Sequence, residues 1–211
     1  MKEAFFWRWL FFIVGIIILS LGISLTIKGQ IVGVGSWDVL HIGLAQSIGL
    51  TIGIWSIIIG VAIIAFDSIL NKRWPLVGTV LDMLLAGIFI DIFNFLIPTF
   101  NSVWMQFFAF VSGFFLLGIG CGMYIVANLG AGPRDMLMLF IVHRFNWSVT
   151  FARTTMEVSV ALLGFLLGGP VGIGTVLMAL CLGPIVQFAI KWNEKIFTRL
   201  SGVESTILKA K

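Results

Sequence analysis

The chain has 211 residues, of which 60% are hydrophobic and 10% charged, and its mean hydropathy is +1.13. Soluble domains carry about 45–50% and about 25%, so a soluble enzyme, a secreted disulfide scaffold and a disordered chain are excluded, and an all-α integral membrane protein is predicted. The balance of 13 Lys+Arg against 9 Asp+Glu gives +4. Those basic residues stand at the ends of apolar segments, which assigns them to topology and the lipid bilayer rather than to nucleic acid.

The first apolar run, Trp9 to Ile27, is too long for a signal-peptide core and has no small-residue cleavage motif. It reads as the first of six spans: Phe6–Ile27, Thr51–Leu70, Pro75–Ile97, Val103–Ala127, Val149–Leu167 and Val171–Lys191. Each is near the 20 residues that cross about 30 Å of hydrocarbon. Two further stretches, Ser36–Gly49 and Pro133–Asn146, are too short to cross and each follows a glycine-rich turn. They are predicted to be short re-entrant helices. Cys121 and Cys181 fall inside apolar stretches and read as inert thiols. The eight Trp and twenty Phe read as interfacial belts and packing.

With the N-terminus inside, the inner flanks hold Lys2, Arg8, Lys72, Arg73, Arg134, Arg144, Lys191, Lys195, Arg199, Lys209 and Lys211. The outer side holds Lys28 alone, and Arg153 lies within a span. Eleven against one is a strong positive-inside asymmetry. It predicts both termini in the cytoplasm, and crossings by the short helices would spoil it.

The halves resemble each other. Gly33-Val-Gly35-Ser-Trp37-Asp38 matches Gly130-Ala-Gly132-Pro-Arg134-Asp135 at an offset of 97, and Gly78-Thr79-Val80-Leu81 matches Gly174-Thr175-Val176-Leu177 at 96. Residues 1–98 and 99–211 are therefore read as two repeats of three spans and one short helix. An odd number of crossings inverts the second, a design recurrent in transporters.

Four groups of residues could carry chemistry. In the paired turns, Gly33, Gly35, Gly130 and Gly132 permit close backbone approach. Ser36 is expected to N-cap the first short helix, and Pro133 to sit in the first turn of the second. Asp38 and Asp135 complement the helix dipoles. Capping accounts for these residues; so does a substrate site at two helix N-termini, with Arg134 favouring an anion and Trp37 in its place on the other turn. Arg153 and Glu157, at i and i+4, share one face of the fifth span. They form either a self-neutralising pair or a substrate or proton site, and Ser56 and Gly60 occupy the matching places in the first half. Asp82 could face the centre, whereas Asp91, 2.5 turns on, could snorkel or partner a second chain, which leaves a homodimer open. Thr79 and Thr175 read as packing residues or as hydroxyls along a polar path. His41 and His143 lack companions at ligand spacing, so neither metal nor cofactor is expected.

The glycine turns ending in Asp, the Ala-Arg-Thr-Thr-Met-Glu stretch at 152–157 and the Gly-Gly-Pro-Val-Gly-Ile-Gly-Thr run at 168–175 resemble the YczE/YyaS/YitT family of bacterial membrane proteins, in particular its YczE branch. The resemblance spans nearly the whole chain. YitT-type members carry a soluble C-terminal domain, which this chain is expected to lack, ending about twenty residues after its last span. The resemblance implies a bacterial inner-membrane protein, often described as a transporter, with no agreed substrate and no catalytic residues to carry over.

The function expected is a secondary transporter or permease for a small solute, an anion included, and not an enzyme. A membrane scaffold or regulator, and the substrate-capture subunit of a larger transporter, are the alternatives.

Overall fold

The structure, a computed structural model, describes residues 2–72, 74–130, 132–147 and 149–202. Arg73, Lys209 and Lys211 in the topology count, and the side chains of Lys2 and His143, lie outside what is described. The described residues form helices α1 (Lys2–Lys28), α2 (Ser36–Ile48), α3 (Ile52–Asn71), α4 (Val77–Leu96), α5 (Val103–Ala127), α6 (Pro133–Phe145), α7 (Val149–Leu166) and α8 (Ile173–Ser201), with no strand among them. Helices α1, α3, α4, α5 and α8 are long and apolar enough to cross a membrane. The protein is thus a helical membrane protein embedded in lipid. Helix α7 occupies the fifth expected segment but carries Arg153 and Glu157, and it is not among those five.

The short helices match their sequence boundaries. At 13 residues each, α2 and α6 rise about 20 Å, well short of the hydrocarbon thickness. Ser36 does not cap α2. Gly35 is the N-cap and Ser36 is already helical, with no side-chain cap bond. Pro133 opens α6 in its first turn, as expected, where a missing N–H costs nothing. Helix α8 runs ten residues past the expected end at Lys191. Its charged extension stays helical because Phe197, 1% exposed, packs edge-on against Phe11 of α1.

Lipid offers apolar side chains no reason to leave it, so close packing and interhelical hydrogen bonds must hold the bundle. Helix α1 lies antiparallel to α5 along a line of glycines. A Cβ at Gly15 would sit 2.6 Å from the Tyr124 backbone nitrogen. One at Gly22 would sit 2.7 Å from the Gly113 carbonyl oxygen, and one at Gly113 would sit 2.7 Å from that of Gly22. The Ser24 hydroxyl donates to the Ile90 carbonyl at 3.2 Å, tying α1 to α4. Ala189 of α8 packs against Gly122 of α5.

Each glycine turn docks on a helix of the other half. Gly33, at φ +123°, lies against Thr175 of α8, and Gly130, at φ +153°, against Thr79 of α4. A Cβ at either would meet the threonine backbone nitrogen at 2.7 Å, and both φ values favour glycine. Gly174 donates its N–H to the Val32 carbonyl at 2.6 Å, so one turn satisfies a free donor of the opposite helix. The matching Gly78 faces the Leu129 carbonyl.

The halves differ in one respect. Helices α3 and α4 close on each other where Gly87 meets Ile57 and the Gly53 carbonyl. The sequence counterpart of Gly87 is Gly183, and a Cβ there would meet nothing within 4 Å. Gly22→Ala should therefore cost about 1–3 kcal/mol by overpacking. Gly183→Ala should be neutral or stabilising by about 0.5–1 kcal/mol through helix propensity. Thermal melts of the two purified variants check the contrast; equal destabilisation would contradict the packing described.

Candidate functional site

A cavity of about 130 Å³ lies between the N-termini of α2 and α6 and is walled by α1, α3, α4, α5, α7 and α8. It has room for on the order of ten water molecules. The two short helices meet there head on. Trp37 and Arg134 hold corresponding positions in the first turns of α2 and α6, and the Arg134 guanidinium lies 5.1 Å from the centre of the Trp37 ring. That stacking places a cation on the negative face of the indole.

Nine of the candidate residues line this cavity: Gly35, Trp37, Asp38, Asp82, Gly132, Arg134, Asp135, Arg153 and Glu157. Gly33, Gly130, Thr79 and Thr175 do not reach its wall. They form the docking contacts behind it, and the Thr175 hydroxyl oxygen accepts from the Gly172 N–H at 3.2 Å. The glycines of both turns leave space for carboxylates. A Cβ at Gly35 would lie 2.8 Å from Oδ2 of Asp38, and one at Gly132 would lie 2.8 Å from Oδ2 of Asp82. Asp82 thus reaches the first turn of α6 from the other half of the chain.

Arg153 and Glu157 share the cavity, but they are not an ion pair. Arg153 turns to Asp135, Nη1 to Oδ1 at 3.9 Å. The other oxygen of Asp135 accepts from the Tyr124 hydroxyl at 3.2 Å. Spacing alone paired Arg153 with Glu157 because it considers one helix; the first turn of α6 offers a carboxylate across the gap. Asp91 is also spent inside the chain. It accepts from the Gly53 N–H at 2.8 Å and from the Thr51 hydroxyl, closing the N-terminus of α3.

Asp38 and His41 sit one turn apart, Oδ1 to Nδ1 at 3.9 Å, and are 2% and 1% exposed. Oδ1 of Asp38, both ring nitrogens of His41 and Nε1 of Trp37 have no hydrogen-bond partner among the described residues. Buried polar atoms are rarely left so, and four of them converge on one end of α2.

Two cavity residues escaped the sequence reading. Tyr124 is the sole tyrosine of the chain, and a lone phenol six residues before Gly130 of the second turn was the available signal. His41 was weighed only as a metal ligand, although its i+3 spacing from Asp38 puts both on one face.

These features define a helical membrane protein whose bundle encloses a charged cavity between two opposed helix N-termini. The chain belongs to the DUF6198 family, a family of unknown function, whose model matches residues 6–191. It is 43% identical over 210 residues to the uncharacterized membrane protein YczE of Bacillus subtilis, covering 100% of this chain and 98% of that one. It is 34% identical over 179 residues to the uncharacterized protein YyaS of the same organism, covering 83% and 88%. An uncharacterized protein of Haemophilus influenzae is 39% identical over 158 residues, 74% of this chain and 72% of its own. No solved structure matches the chain.

Asp135→Asn should leave Arg153 without its anion and lower stability by about 1 kcal/mol, the scale of a partly exposed pair. Asp135→Asn combined with Arg153→Gln should recover part of that loss. A double-mutant cycle on thermal stability checks this; strict additivity would show that the two side chains do not interact.

Proposed function

We propose that the protein is a secondary transporter or permease for a small polar solute, built from two inverted repeats of three spans each, with α7 as the sixth crossing. Both termini are cytoplasmic in this reading, and the protein sits in a bacterial inner membrane. The observation that carries it is the meeting of two short helices from corresponding places in the two halves, N-terminus to N-terminus, over one polar cavity. Irregular backbone at membrane depth is tolerated where it lines such a cavity, and paired half-helices at a repeat interface are a recurring transporter device.

The exchange of contacts between halves supports the inversion. Gly33 on Thr175 and Gly130 on Thr79 are the same contact with the two repeats interchanged. The difference between halves supports a moving machine. Gly53, Gly87 and Asp91 shut the α3–α4 seam, while α7 and α8 stand apart around Gly183. A site open along one seam and shut along its counterpart is one state of an alternating-access cycle, in which closing α7 on α8 accompanies opening α3 from α4.

A cysteine at position 71 should label only from inside and one at position 99 only from outside; the reverse would sink the topology. For transport, Cys121→Ala and Cys181→Ala provide a background in which Thr51→Cys and Asp91→Cys can be cross-linked. Untargeted comparison of solute pools and uptake in deletion, complemented and cross-linked cells provides the readout. The cross-linked variant should behave as the deletion and recover on reduction. Solute pools and uptake indifferent to the protein would argue for a scaffold, and co-purification with an ATPase for a capture subunit.

A further inference from the structure

We propose that the cavity binds a small organic monocation, an amine held as its ammonium form, and not an anion. The proposal rests on the reading of this cavity as the substrate site. It is carried by the charge inventory and by the acceptor left unused at the end of α2.

The described lining holds four carboxylates, Asp38, Asp82, Asp135 and Glu157, against the guanidiniums of Arg134 and Arg153. The count takes every group in its ordinary state near pH 7, carboxylates and guanidiniums ionised and His41 neutral. The N-termini of α2 and α6 each add roughly half a positive charge, which leaves about one negative charge uncompensated. Both guanidiniums are engaged, Arg153 on Asp135 and Arg134 over Trp37. Neither Asp82 nor Glu157 has an ion-pair partner among the described residues.

Oδ1 of Asp38 is the most telling atom. It belongs to a side chain 2% exposed, lies in the cavity wall and has no donor. An ionised carboxylate only accepts, so the missing partner is a donor. An ammonium brings three donors and the missing charge together. A carboxylate or phosphate would deepen the negative surplus, where low polarity magnifies repulsion. Arg153 turns its Nη1 toward Asp135, at 3.9 Å, rather than toward the open cavity. The volume, about 130 Å³, suits a solute of on the order of ten heavy atoms.

Full-length protein in nanodiscs would be titrated with ethanolamine hydrochloride, methylammonium chloride, sodium acetate and sodium phosphate at matched ionic strength, following thermal stability. The two amines should stabilise saturably and the two anions should not. Asp38→Asn and Asp82→Asn should weaken ethanolamine binding about tenfold or more, and Asp67→Asn, away from the cavity, should not change it. Should either buried variant fail to fold, Glu157→Gln, whose side chain is partly exposed, should still weaken ethanolamine. Saturable binding of acetate or phosphate, absence of amine binding, or amine binding indifferent to all three cavity substitutions would overturn the proposal. Ethanolamine that binds but never crosses proteoliposomes would leave the cation site standing and remove the transporter reading. Acetate that crosses without any amine binding would do the reverse.

Discussion

Backbone meets backbone where α1 crosses α5, and the position of every other element follows from that contact. Gly15 and Gly22 of α1 face Gly120 and Gly113 of α5, with no side chain between them. Two helices this close have little freedom to slide or rotate. Each ends next to a glycine turn, at opposite ends of the pair. The fixed crossing therefore sends Gly33 to the start of α8 and Gly130 to the start of α4. Those docked turns aim α2 and α6 at each other. A bundle held by bulky apolar side chains would lack this definition, because lipid competes equally well for such side chains.

Charge placement shows the same economy. Outside the cavity, Asp91 is absorbed by the exposed N–H and hydroxyl groups at the start of α3. Inside it, Asp135 takes Arg153 and Tyr124. The buried carboxylate oxygen left without a donor among the described residues lies on the Trp37–Asp38–His41 face of α2, in the cavity wall. A helix bundle selected only for stability has no use for a buried carboxylate without a donor, since removing such a group relieves a desolvation cost of about 1–3 kcal/mol. The bundle tolerates that cost in its central cavity and avoids it at Asp91, which is the distribution expected of a binding site.

Most of the framework was legible because the membrane imposes length. Segment α5 matches its sequence boundaries at both ends, and the short helices were recognised by being too short. Apolarity and helicity are different properties, however. The sequence boundary at Lys191 marks where α8 meets charge, whereas the helix continues because Phe197 finds Phe11. Lateral choices were illegible for a related reason. Which carboxylate Arg153 takes, and where Asp91 spends its oxygens, depend on neighbours from other helices. A turn can also be recognised without its cap being known. Ser36 looked like an N-cap by type, but the close docking of the glycine turn placed Gly35 there instead.

The duplicated frame and the unduplicated chemistry belong together. Glycines and threonines that set backbone approach recur in both halves, at Gly33 and Gly130, and at Thr79 and Thr175. Among the residues that face the cavity, Gly35 and Asp38 recur as Gly132 and Asp135, but the remaining charged ones do not. Asp82 stands opposite the α6 turn where Met178 stands opposite that of α2, and Ser56 and Gly60 hold the places of Arg153 and Glu157. In the proposed transporter, a two-fold frame supplies two corresponding seams, each of which opens while the other is shut. A solute, by contrast, has one shape and one charge and must be read from both sides of the same cavity. If both halves presented identical charges, the cavity would carry doubled anions or doubled cations and would hold its ligand too tightly to release it through either seam. Under the transporter reading, symmetry in the backbone and asymmetry in the charges are complementary requirements: the first permits exchange of states, and the second sets what is exchanged.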